Sequence, residues 1–288
     1  DIDAEKLQAN AEKHGIPDTS PSLDHLCTTD VDAIAIFTQN WLHGPQAVQA
    51  LKTGKHVYSA VPAGITLDEI KSLVQTVEQT ENIYMIGETS YYYPSVVYCR
   101  QRFQENAFGK IVYSEGEYYH DWDHGLYDVA KWRGGEIWRE TAGVPPMYYP
   151  THSTSTTISV TGAHMTHVSC QGFLDDHEDG IYAPNTNQWE NRFSNQSALF
   201  KMSDGSSARM NEFRRIGHPG TVRMAMFGTQ GSFEHNNAGA VWLNKNRAET
   251  QNLDQQLTCR RPNQSVVSDM DKVTADDGAR HSAAPIHP

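Results

Sequence analysis

The sequence predicts a two-domain α/β protein, on the evidence of three patterns along its 288 residues. At the start of the chain, apolar runs of strand length alternate with helical repeats, a pattern typical of a parallel sheet with right-handed crossovers. A long alternating segment and several turn-separated strands then predict an α+β domain with an open, mainly antiparallel sheet. We expect the domains over residues 1–92 and 93–258, followed by an extended or mobile tail over 259–288.

The first predicted domain alternates helix and strand, and its elements carry recognisable signals. The run VDAIAIFT is largely apolar, as expected for a strand that is buried on both faces. Gly15 and Gly54 follow two of the helical repeats, and glycine is the usual residue just past a helix end. The predicted helices span residues 4–14, 45–53 and 67–80, and the predicted strands span 31–38, 55–60 and 83–88.

The second predicted domain begins with a helix over residues 94–105 and a long strand in GKIVYSEGEYYHDW. Residues 132–150 are rich in aromatic residues, glycine and proline and predict an irregular segment, whereas 151–160 predict a helix that β-branched residues weaken. The segment SALFKMSDGSSARMNEFRR predicts a hairpin that turns at Asp204-Gly205, and further antiparallel strands follow it. The charged segment LDDHEDG is expected to be a solvated loop.

The composition argues against several classes of function. The formal net charge of -12 repels a phosphate backbone, so we expect no nucleic-acid binding. No apolar run reaches the length that a membrane-spanning helix needs, so we expect no membrane partner. The four cysteines are scattered without the Cys-x-x-Cys spacing of a zinc site, which predicts reduced thiols in a cytoplasmic protein.

Polar residues follow the predicted strands at the edge where open parallel sheets bind ligands. Thr38, Gln39 and Asn40 follow the first strand, and Glu88 ends the third. Two polar clusters at the strand ends of one sheet favour a ligand over helix capping, which is the alternative for Asn40. His43 lies three residues beyond Asn40, and its spacing fits a ligand contact or a helix cap equally well.

A second group of candidates ends the long predicted strand, in the sequence YYHDWDH. A carboxylate can orient a histidine ring, but His120 and Asp121 are neighbours in a strand and therefore point to opposite faces. Asp121, Asp123 and His124 lack the loop pattern of an oxygen-ligand calcium site. We therefore predict that the chain has no metal site.

The segment MYYPTHSTST carries the third group of candidates, Tyr149 and His152. Pro150 restricts Tyr149 to an extended backbone, and Thr151 then starts a helix. A helix N-terminus disfavours positive charge, so His152 in the first turn is suited to remain neutral and accept a proton. Tyr149 can serve the same substrate from the preceding turn. On the residues alone, a histidine packed among aromatic side chains remains the alternative.

The order of these motifs resembles the Gfo/Idh/MocA family of NAD(P)-dependent oxidoreductases. The stretch VDAIAIFTQNWLHGPQAVQALKTGKHVYSAVPAG is similar to the family's segment from a sheet strand to its catalytic motif, and FGKIVYSEGEYYHD and GTQGSF are similar to later elements. The resemblance implies a Rossmann domain, then a substrate domain whose open sheet often forms a homo-oligomer. It also implies that the first strand and the Gly-x-Gly-x-x-Gly loop precede residue 1, so we expect a partial Rossmann domain that lacks both.

The same resemblance implies NAD or NADP as the cofactor. Asp1 stands where the family has the acidic residue that binds the ribose. The other implied cofactor contacts are Thr38, Gln39, Asn40, His43, Pro62 and Glu88.

One departure from the family pattern bears on the reaction. The family's Glu-Lys-Pro motif carries a catalytic lysine, whereas this chain has Ala-Val-Pro at residues 60–62. A branch of NAD-dependent α-N-acetylgalactosaminidases also lacks the lysine, and its YIHD and YPTH motifs are similar to YYHD and YPTH here. The similarity implies proton transfer by Tyr149 and His152, with His120 near the sugar.

Three functions follow from the resemblance, and each would make the chain a sugar- or polyol-binding protein. The first and leading hypothesis is an oxidoreductase that transfers hydride between a sugar or polyol and the cofactor. The second is a redox-neutral glycosidase, in which oxidation at C3 precedes elimination, addition of water and re-reduction. The third is a non-catalytic regulator that binds sugar or nucleotide.

Overall fold

The computed structural model describes residues 3–257, and the chain forms two compact units that divide between Gly87 and Glu88. The sequence placed the domain boundary at residue 92. Glu88 was expected to contact the cofactor from the first domain. In the structure it is the first residue of the second unit, and its side chain accepts a hydrogen bond from the backbone N–H of Ser90. Asp1 and the predicted tail over 259–288 lie outside the described residues.

A three-stranded parallel sheet in the order β1-β2-β3 runs through the first unit, which confirms the predicted α/β architecture. The strands are β1 (Ala33–Ile36), β2 (His56–Ser59) and β3 (Tyr84–Ile86). The helices are α1 (Ala4–His14), α2 (Leu23–Thr28), α3 (His43–Lys52) and α4 (Leu67–Thr80).

Local capping explains why α1 and α4 have the bounds that the sequence predicts. Asp3 accepts a backbone N–H in the first turn of α1, and Gly15 ends the helix with a φ of 62°. Thr66 and Glu69 form a reciprocal capping box at the start of α4. The sequence did not predict α2, because six residues are too few to show a helical period.

Only one face of the β1-β2-β3 sheet is buried, so the expectation that the first strand is covered on both faces is wrong. Ile34 and Ile36 are buried while Ala33 and Ala35 between them are exposed. The reason is that α2, α3 and α4 contribute to one apolar core with the same face of the sheet. This core contains Cys27, Ile34, Ile36, Ala47, Ala50, Leu51, Val57 and Leu73.

An eight-stranded sheet spans the second unit, in the order β11-β10-β9-β8-β4-β7-β6-β5. β4 and β7 are parallel and the other described neighbours are antiparallel, which confirms the predicted open, mainly antiparallel sheet. The hairpin of β6 and β7 turns near Asp204-Gly205, as predicted. The strands are β4 (Ile111–Tyr119), β5 (Met165–Leu174), β6 (Phe193–Met202), β7 (Ser207–Phe213), β8 (Thr221–Gly228), β9 (Gly231–Asn236), β10 (Gly239–Asn244) and β11 (Gln251–Asn252).

The helices of the second unit include three that the sequence did not predict, over residues 127–134, 138–142 and 254–257. The segment 132–150 was expected to be irregular, but it contains the end of α6 (Tyr127–Gly134) and all of α7 (Trp138–Ala142), and Tyr127 and Trp138 pack against the cluster that contains Trp122. The helices are α5 (Pro94–Gln104), α6 (Tyr127–Gly134), α7 (Trp138–Ala142), α8 (Thr151–Thr161) and α9 (Asp254–Leu257). Within residues 3–257, no helix has both the length and the apolar character needed to cross a membrane.

The charged segment LDDHEDG ends in a loop in which Asp176, His177 and Glu178 are exposed, as expected, but an ion-pair network holds its other two carboxylates. Arg215 lies 3.2 Å from Asp175 through Nε and 2.7 Å from Asp179 through Nη2. The Tyr127 hydroxyl also donates to Asp179, at 2.5 Å. One arginine that follows β7 thus recruits two carboxylates that sequence spacing alone does not associate with it.

Candidate active site

His152 lies in the first turn of α8, where the sequence predicts it. Its Nδ1 lies 2.7 Å from Oε1 of Glu88 and 3.4 Å from the Ser90 hydroxyl. The His152 side chain keeps 16% of its surface exposed. The ring is therefore bonded at one nitrogen and partly open to solvent, which argues against a histidine packed in an apolar core.

Glu88 is held in place by the short helical turn that it begins. Its Oε1 accepts the backbone N–H of Ser90 at 2.8 Å, and the residue is only 8% exposed. Burial raises the pKa of this carboxyl, but the hydrogen bond and charge of His152 outweigh burial and hold the pKa below its usual value. Glu88 is therefore ionised at neutral pH.

Close packing of α8 on β4 brings His152 to this place. Gly116 of β4 faces α8, and a Cβ there would lie 2.2 Å from the backbone oxygen of Ser153. The buried side of α8 carries small hydroxyl-bearing residues, and Thr157 donates to Ser114 of β4 at 2.9 Å. The β-branched residues that weaken the helix prediction are thus the ones that let α8 approach the sheet.

Two tyrosines flank the His152 ring. The Tyr118 ring centroid lies 4.9 Å from that of His152, and the Tyr149 centroid lies 5.8 Å from it. Burial raises the pKa of both phenols, so both hydroxyls keep their protons at neutral pH. The Tyr118 hydroxyl also lies 3.1 Å from Nδ1 of His120, which joins His120 to the group.

We call Glu88, Tyr118, His120, Tyr149 and His152 the imidazole cluster. The structure thus brings together the three predicted catalytic residues, and it adds two members. One is Glu88, which was expected to bind cofactor. The other is Tyr118, which the sequence analysis did not single out although it opens the YYHD motif.

A buried ion pair lies next to the cluster and was missed by sequence reasoning. Glu212 is completely buried and lies 3.0 Å from Arg214 and 2.6 Å from the Ser153 hydroxyl. Burial raises the pKa of Glu212 to about 7, although Arg214 and Ser153 act in the opposite direction. The Arg214 guanidinium lies 5.0 Å from the Tyr118 ring centroid. The one available signal was that Glu212 shares a strand face with Met210, at a core position.

Asp121 does not orient the neighbouring histidine through any described hydrogen bond. Its carboxylate accepts the backbone N–H groups of Asp123 at 2.9 Å and Ile216 at 2.5 Å. Asp121 therefore fixes the chain that follows β4. Across residues 3–257, no group of three or more histidine, cysteine, aspartate or glutamate side chains is arranged to hold a metal ion.

The predicted cofactor contacts of the first unit lie around the ends of β1 and β2. His43 is 2% exposed, and its ring nitrogens lie 2.9 Å from the Pro62 carbonyl and 3.0 Å from the Thr38 carbonyl. Neither Asn40 nor His43 caps a helix with its side chain, so the capping alternative is wrong for both. The structure thus gathers Thr38, His43 and Pro62, with Gln39 at the start of the following turn.

Asn40 provides the observation that tests this edge for a nucleotide. Its Oδ1 is buried and accepts no hydrogen bond from the part of the chain that the structure describes. A buried amide oxygen without a donor is costly, and a donor from a bound amide or ribose would remove that cost. The edge is therefore compatible with a ligand that offers a hydrogen-bond donor to Asn40. The sequence contains no Gly-x-Gly-x-x-Gly loop for the pyrophosphate.

The first compact unit, which ends at Gly87, coincides with the region that matches a known protein family. Residues 1–88 match the family of oxidoreductases with an NAD-binding Rossmann fold, the Gfo/Idh/MocA family. Over 142 residues, or 47% of the chain, the protein is 34% identical to a glycosyl hydrolase family 109 protein and 33% identical to an α-N-acetylgalactosaminidase, both from Bacteroides fragilis. The match covers 32% of each, so the chain spans about a third of the length of these curated relatives.

Solved structures share the fold at low sequence identity. A levoglucosan dehydrogenase in complex with NADH and levoglucosan aligns with a TM-score of 0.70 at 17% identity, covering 88% of this chain and 68% of that one. An inositol dehydrogenase homologue from Azotobacter vinelandii, complexed with NADH and myo-inositol, aligns with a TM-score of 0.71 at 15% identity, covering 88% and 66%. These likenesses confirm the predicted fold class.

Proposed function

We propose that the protein oxidises a sugar or polyol in an NAD(P)-dependent reaction, because residues 1–88 match the NAD-binding Gfo/Idh/MocA oxidoreductase family. The observation that carries the proposal is the contact of His152 with Glu88 on one side and with the tyrosine rings on the other. A partly exposed imidazole with polar neighbours is suited to proton transfer near neutral pH.

The cluster has the groups that oxidation of a secondary alcohol requires. His152 accepts the proton of the substrate hydroxyl while the C–H bond breaks and a C=O bond forms. Tyr149 is a neutral hydroxyl beside the same ring, so it can donate a hydrogen bond to the oxygen that is reacting. His120, linked to the cluster through Tyr118, is proposed to bind a neighbouring hydroxyl.

The cofactor, when bound, supplies the acceptor for the hydride. We propose that Asn40, with its unsatisfied Oδ1, contacts the nicotinamide or its ribose, and that Thr38, Gln39, His43 and Pro62 form the surrounding edge. Asp1 stays a predicted ribose contact.

The redox-neutral glycosidase is the second candidate, and two observations favour it. Val61 occupies the place of the family's lysine, and an α-N-acetylgalactosaminidase is among the curated relatives that the chain matches. In that reaction one group handles the proton of the C3 hydroxyl and another removes the proton from C2. Two imidazole rings that share Tyr118 are suited to divide these tasks.

Product analysis separates the candidates. The complete gene product is incubated with NAD+ and a panel of free sugars and polyols, and then with an aryl α-N-acetylgalactosaminide in deuterated solvent. The oxidoreductase forms NADH in proportion to oxidised sugar. The glycosidase releases the aryl group without net NADH and incorporates deuterium at C2. Binding of sugar or dinucleotide without either product would support the non-catalytic regulator and contradict both enzymes.

We also propose that the open face of the eight-stranded sheet forms a homo-oligomer. On this face Glu117 is 4% exposed and is bonded by Arg209, Asn211, Tyr119 and Arg223. Leu199 lies on the same face, because it is paired in register with Arg209, and paired residues of neighbouring strands point to the same side of a sheet. Leu199 is 54% exposed, so Leu199→Glu should shift the sedimentation coefficient to that of the monomer. An unchanged coefficient that already matches the monomer would contradict the proposal.

A further inference from the structure

The hydrogen bond between Glu88 and His152 has a direction that chemistry fixes. An ionised carboxylate has only acceptor atoms, and Oε1 of Glu88 lies 2.7 Å from Nδ1 of His152. The hydrogen in this contact must therefore be carried by Nδ1. In a neutral imidazole the other nitrogen then keeps its lone pair, so Nε2 is the proton acceptor.

The carboxylate is fixed more firmly than an exposed glutamate would be. The same Oε1 accepts the backbone N–H of Ser90 at 2.8 Å, which ties the side chain to its own turn. Glu88 is 8% exposed, so water competes little for the carboxylate. The Ser90 hydroxyl, at 3.4 Å from Nδ1, is a more distant partner and carries no charge. Glu88 is thus the group that decides which nitrogen carries the hydrogen.

We propose that Glu88 is a positioning residue, which holds His152 as the Nδ1–H tautomer and turns Nε2 into the proton acceptor of the reaction. The tautomer follows from the contact of Nδ1 with the ionised Glu88 carboxylate, whereas its role in turnover rests on the proposed function. A buried carboxylate behind a catalytic imidazole acts in the same way in the serine–histidine–aspartate triad.

His120 provides an internal comparison within the cluster. Its Nδ1 faces the Tyr118 hydroxyl at 3.1 Å instead of a carboxylate. A neutral phenol is able to donate its hydrogen to that nitrogen, which a carboxylate cannot do. A change at Tyr118 should therefore alter the nitrogen signals of His120, and a change at Glu88 should alter those of His152.

The direct test is nitrogen NMR of the full chain with 15N-labelled histidine, because this measurement needs neither cofactor nor substrate. The signals of His152 among the 14 histidines are assigned with His152→Gln. We expect a protonated-type Nδ1 and an unprotonated-type Nε2 in the neutral form of the ring. An unprotonated-type Nδ1 in the unmodified protein would overturn the proposal.

Two variants separate the carboxylate from its surroundings. Glu88→Ala should remove the preference for the Nδ1–H tautomer and lower kcat about 100-fold with little change in KM. Tyr118→Phe should leave the nitrogen signals of His152 as they are while those of His120 shift. If Glu88→Ala does not fold, Glu88→Gln keeps the side-chain volume and should weaken the same preference because the charge is lost.

The outcomes distinguish this proposal from the proposed function. Expected nitrogen signals with no turnover on any sugar would refute the enzymatic function and leave the tautomer assignment standing. Expected signals with full turnover by Glu88→Ala would refute the positioning role. Nitrogen signals of His152 that are the same in Glu88→Ala and the unmodified protein would refute the assignment to Glu88.

Discussion

His43 and His152 are both histidines near the start of a helix, yet the structure gives them different partners. The two ring nitrogens of His43 lie within hydrogen-bond distance of two backbone carbonyls, and the residue is 2% exposed. His152 has a carboxylate at one nitrogen and keeps 16% of its side-chain surface exposed. His43 links two loops of the first unit, whereas the described hydrogen bonds of His152 involve Nδ1.

The two rings thus differ in partner and exposure and not in helix position, and under the proposed function only His152 reacts. A ring with both nitrogens occupied stabilises the chain segments that it joins. A ring with one nitrogen committed has a defined tautomer and a free acceptor. Whether the two histidines have different roles can be tested by removing each ring and measuring stability and turnover separately.

Loss of His152 should have the largest effect, and the effect should be on turnover. His152→Gln keeps a donor for Glu88 but has no group that accepts a proton, so kcat should fall by about 100- to 10,000-fold. Thermal unfolding should change little, because the side chain is partly exposed. His164→Gln, at an exposed residue outside the cluster, is the matched control and should keep full turnover. Turnover by His152→Gln equal to that of the control would refute the assignment.

Loss of His43 should act on stability. His43→Ala removes a buried ring and leaves two carbonyls without their partner, which should cost about 2–4 kcal/mol of unfolding free energy. Hydrogen exchange of residues 33–62 measures this locally, because the chain has two units and need not unfold in one step. His14→Ala, at an exposed residue of α1, should cost less than about 0.5 kcal/mol. Equal exchange in the two variants would mean that His43 is not structural.

Local signals in the sequence were enough to predict much of the fold. The glycine at residue 15 placed the end of α1, the helical repeat of apolar residues placed α4, and Pro150 placed the start of α8 and therefore His152. The strand-end rule found Glu88 as a polar group and placed it in the first domain, whereas the second compact unit begins at Glu88. Its partner His152 lies 64 residues further along, and no local pattern connects the two.

The features that sequence reasoning missed depend on packing between distant segments. Glu212 stands in NEFRR, where a charged residue in a hairpin strand is ordinarily exposed, and only the register of the sheet buries it. Gly116 lies inside an alternating strand, and nothing nearby indicates that a helix crosses it. The burial of one face of the first sheet was likewise set by where three helices pack.

A substitution at Gly116 tests the two histidines independently, because it should move His152 without affecting His43. The new Cβ in Gly116→Ala would meet the Ser153 backbone oxygen at 2.2 Å, so α8 must shift away from β4. We expect a loss of about 1–3 kcal/mol in unfolding free energy, with lower turnover. Gly217→Ala is the control, since no atom lies within 4 Å of its new Cβ.

Hydrogen exchange measured in the first unit is the control for the Gly116 experiment. Residues 33–62, which contain His43, should exchange at the same rate in Gly116→Ala and in the unmodified protein. If turnover and stability of Gly116→Ala both match those of Gly217→Ala, the close packing of α8 does not position His152.

The smallest effect is on the pH dependence of the unfolding free energy. The two carboxyl groups nearest His152, Glu88 and Glu212, should contribute to it in opposite directions. The pKa of Glu212 is raised from 4.5 to about 7 by burial, so the folded state holds that proton more tightly than the unfolded state. Its contribution to stability is therefore present below pH 4.5 and is lost as the pH rises toward 7. The pKa of Glu88 is lowered, so its contribution is present above pH 4.5 and is lost at lower pH.

Glu212→Gln should therefore flatten the fall in unfolding free energy between pH 5 and 7, by about 1–3 kcal/mol. Near pH 5 the variant and the unmodified protein should differ little in unfolding free energy, because Gln then replaces a carboxyl that still carries its proton. Glu88→Gln should leave the slope between pH 5 and 7 unchanged and reduce the loss of stability at lower pH. His43 has no carboxyl partner among its described hydrogen bonds, so its variant should show neither change. A slope that survives in Glu212→Gln would mean that this carboxyl is already ionised at pH 5, and that Arg214 outweighs burial.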